Sequence, residues 1–211
     1  MHYLFFDLET GGADAKIHSI MTGYFAIYDK DFNLISDLEL LLKPNDGHIV
    51  AEEEALKITG LDVITHLQNP RTVTYEVGAS MLNAFLDKNK IKGKRKSFRP
   101  AGHNIDFDLR FLFEQLIPED EWKKQVHHNT LDTLRILTFL QDVGFLPSEL
   151  GKLETLVEYF GIPLGKAHDA KEDIKMTVEV YKKMQGLFLG SKFGLAQSMV
   201  SSSLLEIIEE R

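Results

Sequence analysis

The alternation of apolar and polar positions predicts three strands at the start of the chain. An apolar run over residues 3–6 leads directly into the acidic segment DLE at 7–9, which is typical of a buried strand whose carboxyl end carries functional groups. The glycines that follow predict a turn, because glycine adopts backbone conformations closed to other residues. Residues 17–29 and 32–44 predict two more strands, and the short connections predict antiparallel pairing of all three.

Most of the remaining chain has the spacing of amphipathic helices. Residues 97–104 predict a fourth strand that ends near His103. In the other segments apolar residues recur three or four positions apart, and glycine or proline marks several of the ends. The predicted helices cover residues 51–60, 74–89, 105–116, 130–140, 150–161 and 169–184.

The pattern changes after Gly186. The following residues have glycine and serine punctuation, and Ser203 and Glu206 have the spacing of a helix capping box. We therefore predict one large domain over residues 1–185 and an appendage over residues 186–211, either helical or partner-binding. No internal repeat is evident in the chain.

Composition places the chain among soluble globular proteins. It has 211 residues, of which 44% are hydrophobic and 27% charged, and it has no cysteine. The lack of cysteine excludes disulfides and thiolate metal sites, and it suits a reducing compartment. The first apolar run meets Asp7 too early for a secretory signal, and no stretch has the length of a membrane span. We therefore expect a cytoplasmic protein.

The charge is unevenly distributed along the chain. The formal net charge is −8. This charge lowers the expected affinity for nucleic acid, because such binding depends mainly on basic side chains that neutralise the phosphates. The segment KNKIKGKRKSFR at 88–99 is nonetheless strongly basic. Bound cations would also neutralise a cluster of acids. A polyanionic substrate is therefore compatible with the composition, and the basic segment is either a phosphate contact or a solvated surface loop.

Asp7 and Glu9 are the first candidate metal ligands. They are two residues apart on a predicted strand, so their side chains point to the same face. Two carboxylates at such a short distance repel each other unless a cation lies between them or water surrounds them. The alternative is a strand that simply ends at the surface.

Two later segments add candidate residues. Asp108 lies in the first turn of a predicted helix, where a carboxylate also favours the positive end of the helix dipole, after the segment HNID. His168 and Asp173 are five residues apart, about 140° around a regular helix. We therefore place His168 on the preceding loop, where it can accept a proton from water, and Asp173 in the helix. The alternative is a surface histidine beside a helix cap formed by Asp169.

The other histidines are weaker candidates. His127 and His128 lie in a polar connector, as does His48. Adjacent histidines bind transition metals, but no third ligand with suitable spacing is near them in the sequence.

Three of these segments, in this order, resemble the DnaQ-like 3′→5′ exonucleases of the DEDD superfamily, in the histidine branch. That family carries D-x-E, then HN-x-x-FD, then H-x-A-x-x-D. This chain has DLE at 7–9, HNIDFD at 103–108 and HDAKED at 168–173, and Thr10 and Gly11 also match. The resemblance covers roughly residues 1–185. It departs from the family in its second strand, which lacks the usual acidic residue, and in its long basic segment.

The resemblance implies an α/β, ribonuclease H-like fold, with a mixed five-stranded sheet flanked by helices. It also implies two Mg²⁺ ions, for which Mn²⁺ can substitute. In the family pattern Asp7 bridges both ions, Glu9 and Asp173 complete the site of the ion that activates water, and Asp108 supports the other. His168 accepts the proton of the attacking water.

The expected reaction is removal of nucleoside 5′-monophosphates from the 3′ end of single-stranded DNA, with proofreading as one role. The residues expected to contact the terminal nucleotide are Leu8, Thr10, Asn104 and Phe107. The expected partners are a single-stranded DNA or RNA 3′ end and, through residues 196–211, a DNA polymerase or another replication protein. Three alternatives remain open: an RNA 3′-exonuclease or oligoribonuclease, a non-catalytic nucleic-acid-binding module, and a glycoside hydrolase that uses paired carboxylates.

Overall fold

The structure is a computed structural model that describes residues 1–163 and 169–209, with side chains described as far as residue 189. One mixed sheet forms its centre. The strands are β1 (His2–Thr10), β2 (Ile20–Tyr28), β3 (Leu34–Lys43), β4 (Thr72–Thr74), β5 (Phe98–Gly102) and β6 (Leu131–Asp132). Their order in the sheet is β4-β3-β2-β1-β5-β6.

The first three strands are antiparallel, as predicted, and the others pair in parallel. The mixed α/β sheet is confirmed, but it has six strands among the described residues, not five. The additional pairing comes from very short segments. Thr72–Thr74 pairs with β3, and Leu131–Asp132 pairs with β5 inside a segment that was predicted as helix from Thr130. Strands of two or three residues are too short to produce a detectable period of two.

Helices cover both faces of the sheet. They are α1 (Glu53–Thr59), α2 (Val63–Gln68), α3 (Tyr75–Lys88), α4 (Ile105–Phe111), α5 (Glu119–Gln125), α6 (Thr133–Asp142), α7 (Leu153–Tyr159) and α8 (Ala170–Glu209). A π-helical turn, Leu112–Leu116, continues α4. Helices α2 and α5 were not predicted.

The last helix is longer than predicted. The backbone of α8 remains helical through Gly186, where we expected a change of character. A glycine inside a helix costs only about 1 kcal/mol relative to alanine, which neighbouring turns can offset. The division into residues 1–185 and 186–211 stays a prediction. No helix in the described part of the chain has a stretch long and apolar enough to cross a lipid bilayer.

Strand β1 lies between two apolar layers, because its side chains alternate between the two faces of the sheet. On one face Leu4, Phe6 and Leu8 join the main core, which includes residues of α3, α4 and α5. On the other face Phe5 packs in a second cluster with Ile174 of α8. A third cluster joins α6, α7 and α8. Because the period is two, the side chains of residues 7 and 9 share the face of Phe5 and point towards α8.

Candidate metal centre and its flanking clefts

Three carboxylates meet where the carboxyl end of β1 faces the start of α8. Asp7 and Glu9 project from β1, and Asp173 lies in the first turn of α8. One carboxylate oxygen from each lies within 4.8 Å of the other two. Carboxylate oxygens are hard donors of the type that Mg²⁺, Mn²⁺ and Ca²⁺ prefer. The structure thus brings together three of the four predicted ligands.

The electrostatics of this cluster favour a cation. Burial raises the pKa of Asp7 well above its usual value, and the charges of Asp108, Glu9 and Asp173 add to the shift. Burial raises the pKa of Glu9 to about 7, with further contributions from Asp173 and Asp169. Each carboxyl therefore resists ionising beside the others, and a divalent ion between them would remove that repulsion.

Asp108 lies next to this group but outside the set of three. It is 4% exposed, and its Oδ1 accepts a hydrogen bond from the backbone N–H of Leu8 at 2.9 Å. Burial raises its pKa to about 8, although the bond from Leu8 opposes the shift. Asp108 thereby joins α4 to β1. It comes from the helix layer on the other face of the sheet, which explains its separation from Glu9 and Asp173.

The predicted general base, His168, lies outside the described residues. Asp169 caps α8, since its Oδ1 accepts hydrogen bonds from the backbone N–H groups of Lys171 and Glu172 at 3.1 and 3.3 Å. The cap that we gave as the alternative explanation of this segment is therefore present. The catalytic role of His168 stays a prediction.

The four predicted substrate contacts divide between two clefts. Leu8, Thr10 and Phe107 line a cleft of about 340 Å³ together with Ala55 and Ile58 of α1. Glu9 is part of the same wall. This cleft therefore leads from an apolar surface directly to one of the clustered carboxylates.

Asn104 lies in a second cleft, of about 300 Å³, with His103, Asp7 and Asp173. Its backbone is left-handed, with φ +58°, a conformation that asparagine tolerates better than most residues. The two clefts flank the carboxylates, so the four predicted contact residues surround one centre without sharing one pocket.

Gly11 controls how closely α1 approaches the end of β1. Its N–H donates to the carbonyl of Ser19 at 2.8 Å, and its own carbonyl accepts from Glu52, which precedes α1, at 2.7 Å. A Cβ atom at this position would lie 2.3 Å from the carbonyl oxygen of Val50. Only glycine fits between these backbones, and this close approach forms one wall of the larger cleft.

Two residues that hold the loops around the site, Asp132 and Gln115, were not predicted from the sequence. Asp132 is 5% exposed, and its Oδ1 accepts from the backbone N–H groups of Asn104 and Leu134, both at 2.9 Å. It therefore caps α6 and holds the turn before α4. The Gln115 amide donates to the carbonyls of Ala15 and His18 and fixes the loop after β1. An aspartate ahead of a helical segment is a detectable cap signal for Asp132, whereas no local pattern reveals the role of Gln115.

The fold and the acid cluster together define a class of protein: an α/β domain with a ribonuclease H-like sheet that carries carboxylates at the end of its first strand. The ribonuclease H-like fold expected from the sequence is confirmed by solved structures. E. coli exonuclease I in complex with a dT13 oligonucleotide superposes with a TM-score of 0.69 and 20% identity, over 87% of this chain and 41% of that chain. A zinc-bound form of the E. coli exonuclease I–single-stranded DNA complex gives a TM-score of 0.71 and 21% identity, over 89% and 42%.

Among curated proteins, the chain is similar to a DNA polymerase III of the PolC type from Caldanaerobacter subterraneus subsp. tengcongensis. The two are 27% identical over 186 residues, which is 86% of this chain and 11% of the polymerase. The chain thus spans about a tenth of that relative and about two fifths of the solved exonucleases. No protein-family model matches it. The similarity to DnaQ-like exonucleases that the motifs indicate is supported independently by these relatives.

Proposed function

We propose that this protein is a metal-dependent 3′→5′ exonuclease that shortens single-stranded DNA from its 3′ end and releases nucleoside 5′-monophosphates. The observation that carries the proposal is the convergence of Asp7, Glu9 and Asp173, with oxygens within 4.8 Å of one another, beside a cleft large enough for a nucleotide. A binding module or a glycoside hydrolase has no need of three crowded carboxylates whose repulsion calls for a cation.

The residues present fit Mg²⁺ or Mn²⁺, because all the donors are hard oxygens and the raised pKa values of Asp7 and Glu9 disfavour their ionisation until a cation binds. Asp7, Glu9 and Asp173 would hold the metal, with Asp108 in support, and the family pattern implies two ions. When bound, the metal supplies Lewis-acid stabilisation of the charge that develops on the attacking and leaving oxygens.

The protein groups would bind and orient the terminal nucleotide. Phe107 packs against Phe111 with ring centroids 5.0 Å apart, and the Arg110 guanidinium lies 5.8 Å from the centre of its ring. The Phe107 ring is only half-buried and lines the larger cleft, where it would contact a base or sugar. Leu8 and Thr10 provide the floor of the cleft. His168, just ahead of α8, would accept the proton of the attacking water, the role expected of a loop histidine near neutral pH.

The test is digestion of a 5′-labelled single-stranded oligonucleotide. We expect stepwise shortening from the 3′ end with Mg²⁺, no reaction with EDTA, and loss of activity in Asp7→Asn. Asp142→Asn, an exposed residue on α6, makes the same change of charge and serves as the control. Full turnover by Asp7→Asn, or by the parent in EDTA, would refute the proposal. A matched RNA oligonucleotide tests the RNA 3′-exonuclease alternative.

A proofreading role is a second candidate, favoured by the similarity to a PolC-type DNA polymerase. A proofreading enzyme should remove a mismatched 3′ nucleotide from a duplex primer faster than a matched one, because a frayed end reaches the cleft more readily. Equal rates on the two primers would argue for a free-standing nuclease of single strands. Binding of a polymerase through residues 196–211 stays part of this proposal.

A further inference from the structure

The strongest positive charge in the molecule lies far from the carboxylates. The basic segment, residues 88–99, carries seven of the 24 lysines and arginines and no acid. The other 199 residues carry 17 basic and 32 acidic side chains, a formal charge of −15. A segment of twelve residues therefore concentrates a charge of +7 in an otherwise strongly acidic protein.

The topology places this segment at the opposite end of the sheet from the metal centre. It leads into β5, which runs parallel to β1, and Phe98 is paired with His2. Asp7 and Glu9 are five and seven residues further along β1, so at ~3.3 Å per residue they lie about 17 and 23 Å from that level. The basic segment therefore does not line either cleft, and it forms a separate surface.

The backbone of the segment is held in place. Ser97 is 1% exposed, and its hydroxyl accepts from the N–H of Ile91 at 2.9 Å. Its carbonyl accepts from His2, and its N–H donates to the carbonyl of Gln125, which anchors the loop to β1 and α5. Between these anchors Gly93 makes a tight left-handed turn with φ +79°, and Lys94 follows it on the exposed surface.

Two histidines extend the same surface. His127 donates its backbone N–H to the carbonyl of Phe98 at 2.8 Å, and its ring stacks on that of His128 with centroids 4.4 Å apart. Burial lowers the pKa of His127, and the nearby charges of His128, Lys96 and Arg99 lower it further. Cations that already repel one another gain when an anion joins them, and flat rings offer a stacking surface to bases.

We propose that the basic segment, with His127 and His128, is a second binding surface for the single strand, which holds nucleotides upstream of the 3′ end. This inference rests on the proposed function. Phosphates fit this surface, because it concentrates cations, of which Lys92, Lys94 and Arg95 are exposed, beside two stacked histidine rings. The rest of the protein carries a net negative charge and repels polyanions.

The separation makes the contact dependent on substrate length. A strand with a rise of ~3.4 Å per nucleotide needs about seven nucleotides to cover 23 Å. A trinucleotide with its 3′ end at the metal centre cannot reach the basic segment, whereas a 20-mer can. The surface should therefore increase the affinity for long substrates and leave the shortest ones unaffected.

The test compares two double variants that change the net charge equally. Lys94→Gln/Lys96→Gln neutralises the proposed surface. Lys57→Gln/Arg71→Gln is the control, because Arg71 precedes β4 at the other edge of the sheet, Lys57 lies on α1, and both are exposed and paired with acids. Binding of 5′-labelled dT20 is measured by fluorescence anisotropy in the Asp7→Asn background between 50 and 400 mM salt. Turnover of dT3 and dT20 is measured with Asp7 intact.

The Lys94/Lys96 variant should bind dT20 about 25-fold more weakly at 0.1 M salt, with the slope of log K against log salt smaller by ~1.4, since each phosphate contact on a single strand contributes ~0.7. The control should keep the parent's slope, and both variants should turn over dT3 at the parent rate. Unchanged binding of dT20, or equal losses in the two variants, would overturn the inference. If the parent protein turned over neither dT3 nor dT20, the proposed exonuclease activity would be contradicted. The anisotropy measurements would still decide whether the basic segment binds DNA.

Discussion

Crowding of carboxylates at the end of β1 should make the metal-free protein more stable when one of them is neutralised. The pKa of Glu9 rises from 4.5 to about 7 in the folded state, chiefly through burial and then through Asp173. Because the folded state holds this proton more tightly than the unfolded chain, the carboxyl favours folding below pH ~4.5, and that contribution is lost as the pH rises to about 7. At pH 8 the ionised Glu9 therefore opposes folding.

The magnitude follows from the shift. A difference of about 2.5 pKa units at ~1.36 kcal/mol each gives about 3 kcal/mol as the largest penalty at pH 8. Glu9→Gln removes this penalty and also relieves Asp7, so in EDTA the variant should be more stable than the parent by up to about 3 kcal/mol at pH 8. At pH 4.5 the difference should be close to zero, because the parent's Glu9 is then protonated in the folded state.

Urea denaturation in EDTA at pH 4.5, 6 and 8 measures this difference, and Glu158→Gln, on the exposed side of α7, is the matched control. Adding Mg²⁺ at pH 8 should then reverse the order. Ligation at 1,000 times Kd stabilises the parent by ~4.1 kcal/mol, which exceeds the penalty of about 3 kcal/mol, and the variant lacks one donor. A variant no more stable than the parent at pH 8, or equally stabilised at pH 4.5 and 8, would show that burial and the neighbouring carboxylates do not disfavour ionised Glu9 in the way described.

Three further results are expected. Asp132→Ala should lower the free energy of unfolding by about 1–3 kcal/mol in urea denaturation, because it removes a helix cap and leaves the N–H of Asn104 without its partner; a loss no larger than that of Asp142→Ala would contradict this. His168→Ala should slow turnover by ~10²–10⁴-fold and flatten the acidic limb of the pH–rate profile, and a parent-like profile would remove His168 as the base. Gly11→Ala should raise KM more than it lowers kcat, since it displaces the α1 side of the larger cleft and not Asp7 or Asp173, and an unchanged KM would show that this side of the cleft does not contact the substrate.

The sequence alone was sufficient for features that depend on local periodicity. Alternation along β1 determined that Asp7 and Glu9 share one face, and the short connections determined the antiparallel pairing of β1, β2 and β3. The spacing of apolar residues also predicted helices α3, α4 and α7 correctly. These properties depend only on residues close together in the sequence. The side-chain period, two residues in a strand and 3.6 in a helix, sets the direction in which each side chain points.

Only the tertiary structure decided which distant residues meet. The start of α8 brings Asp173 to β1, whereas Asp108 arrives from the opposite layer and binds the N–H of Leu8. The parallel pairing of β5 with β1 places the basic segment at the far end of the sheet, a position that its charge alone could not reveal. Such placements depend on strand order and on which face each helix covers, and both are set by the packing of the whole core and not by any local pattern.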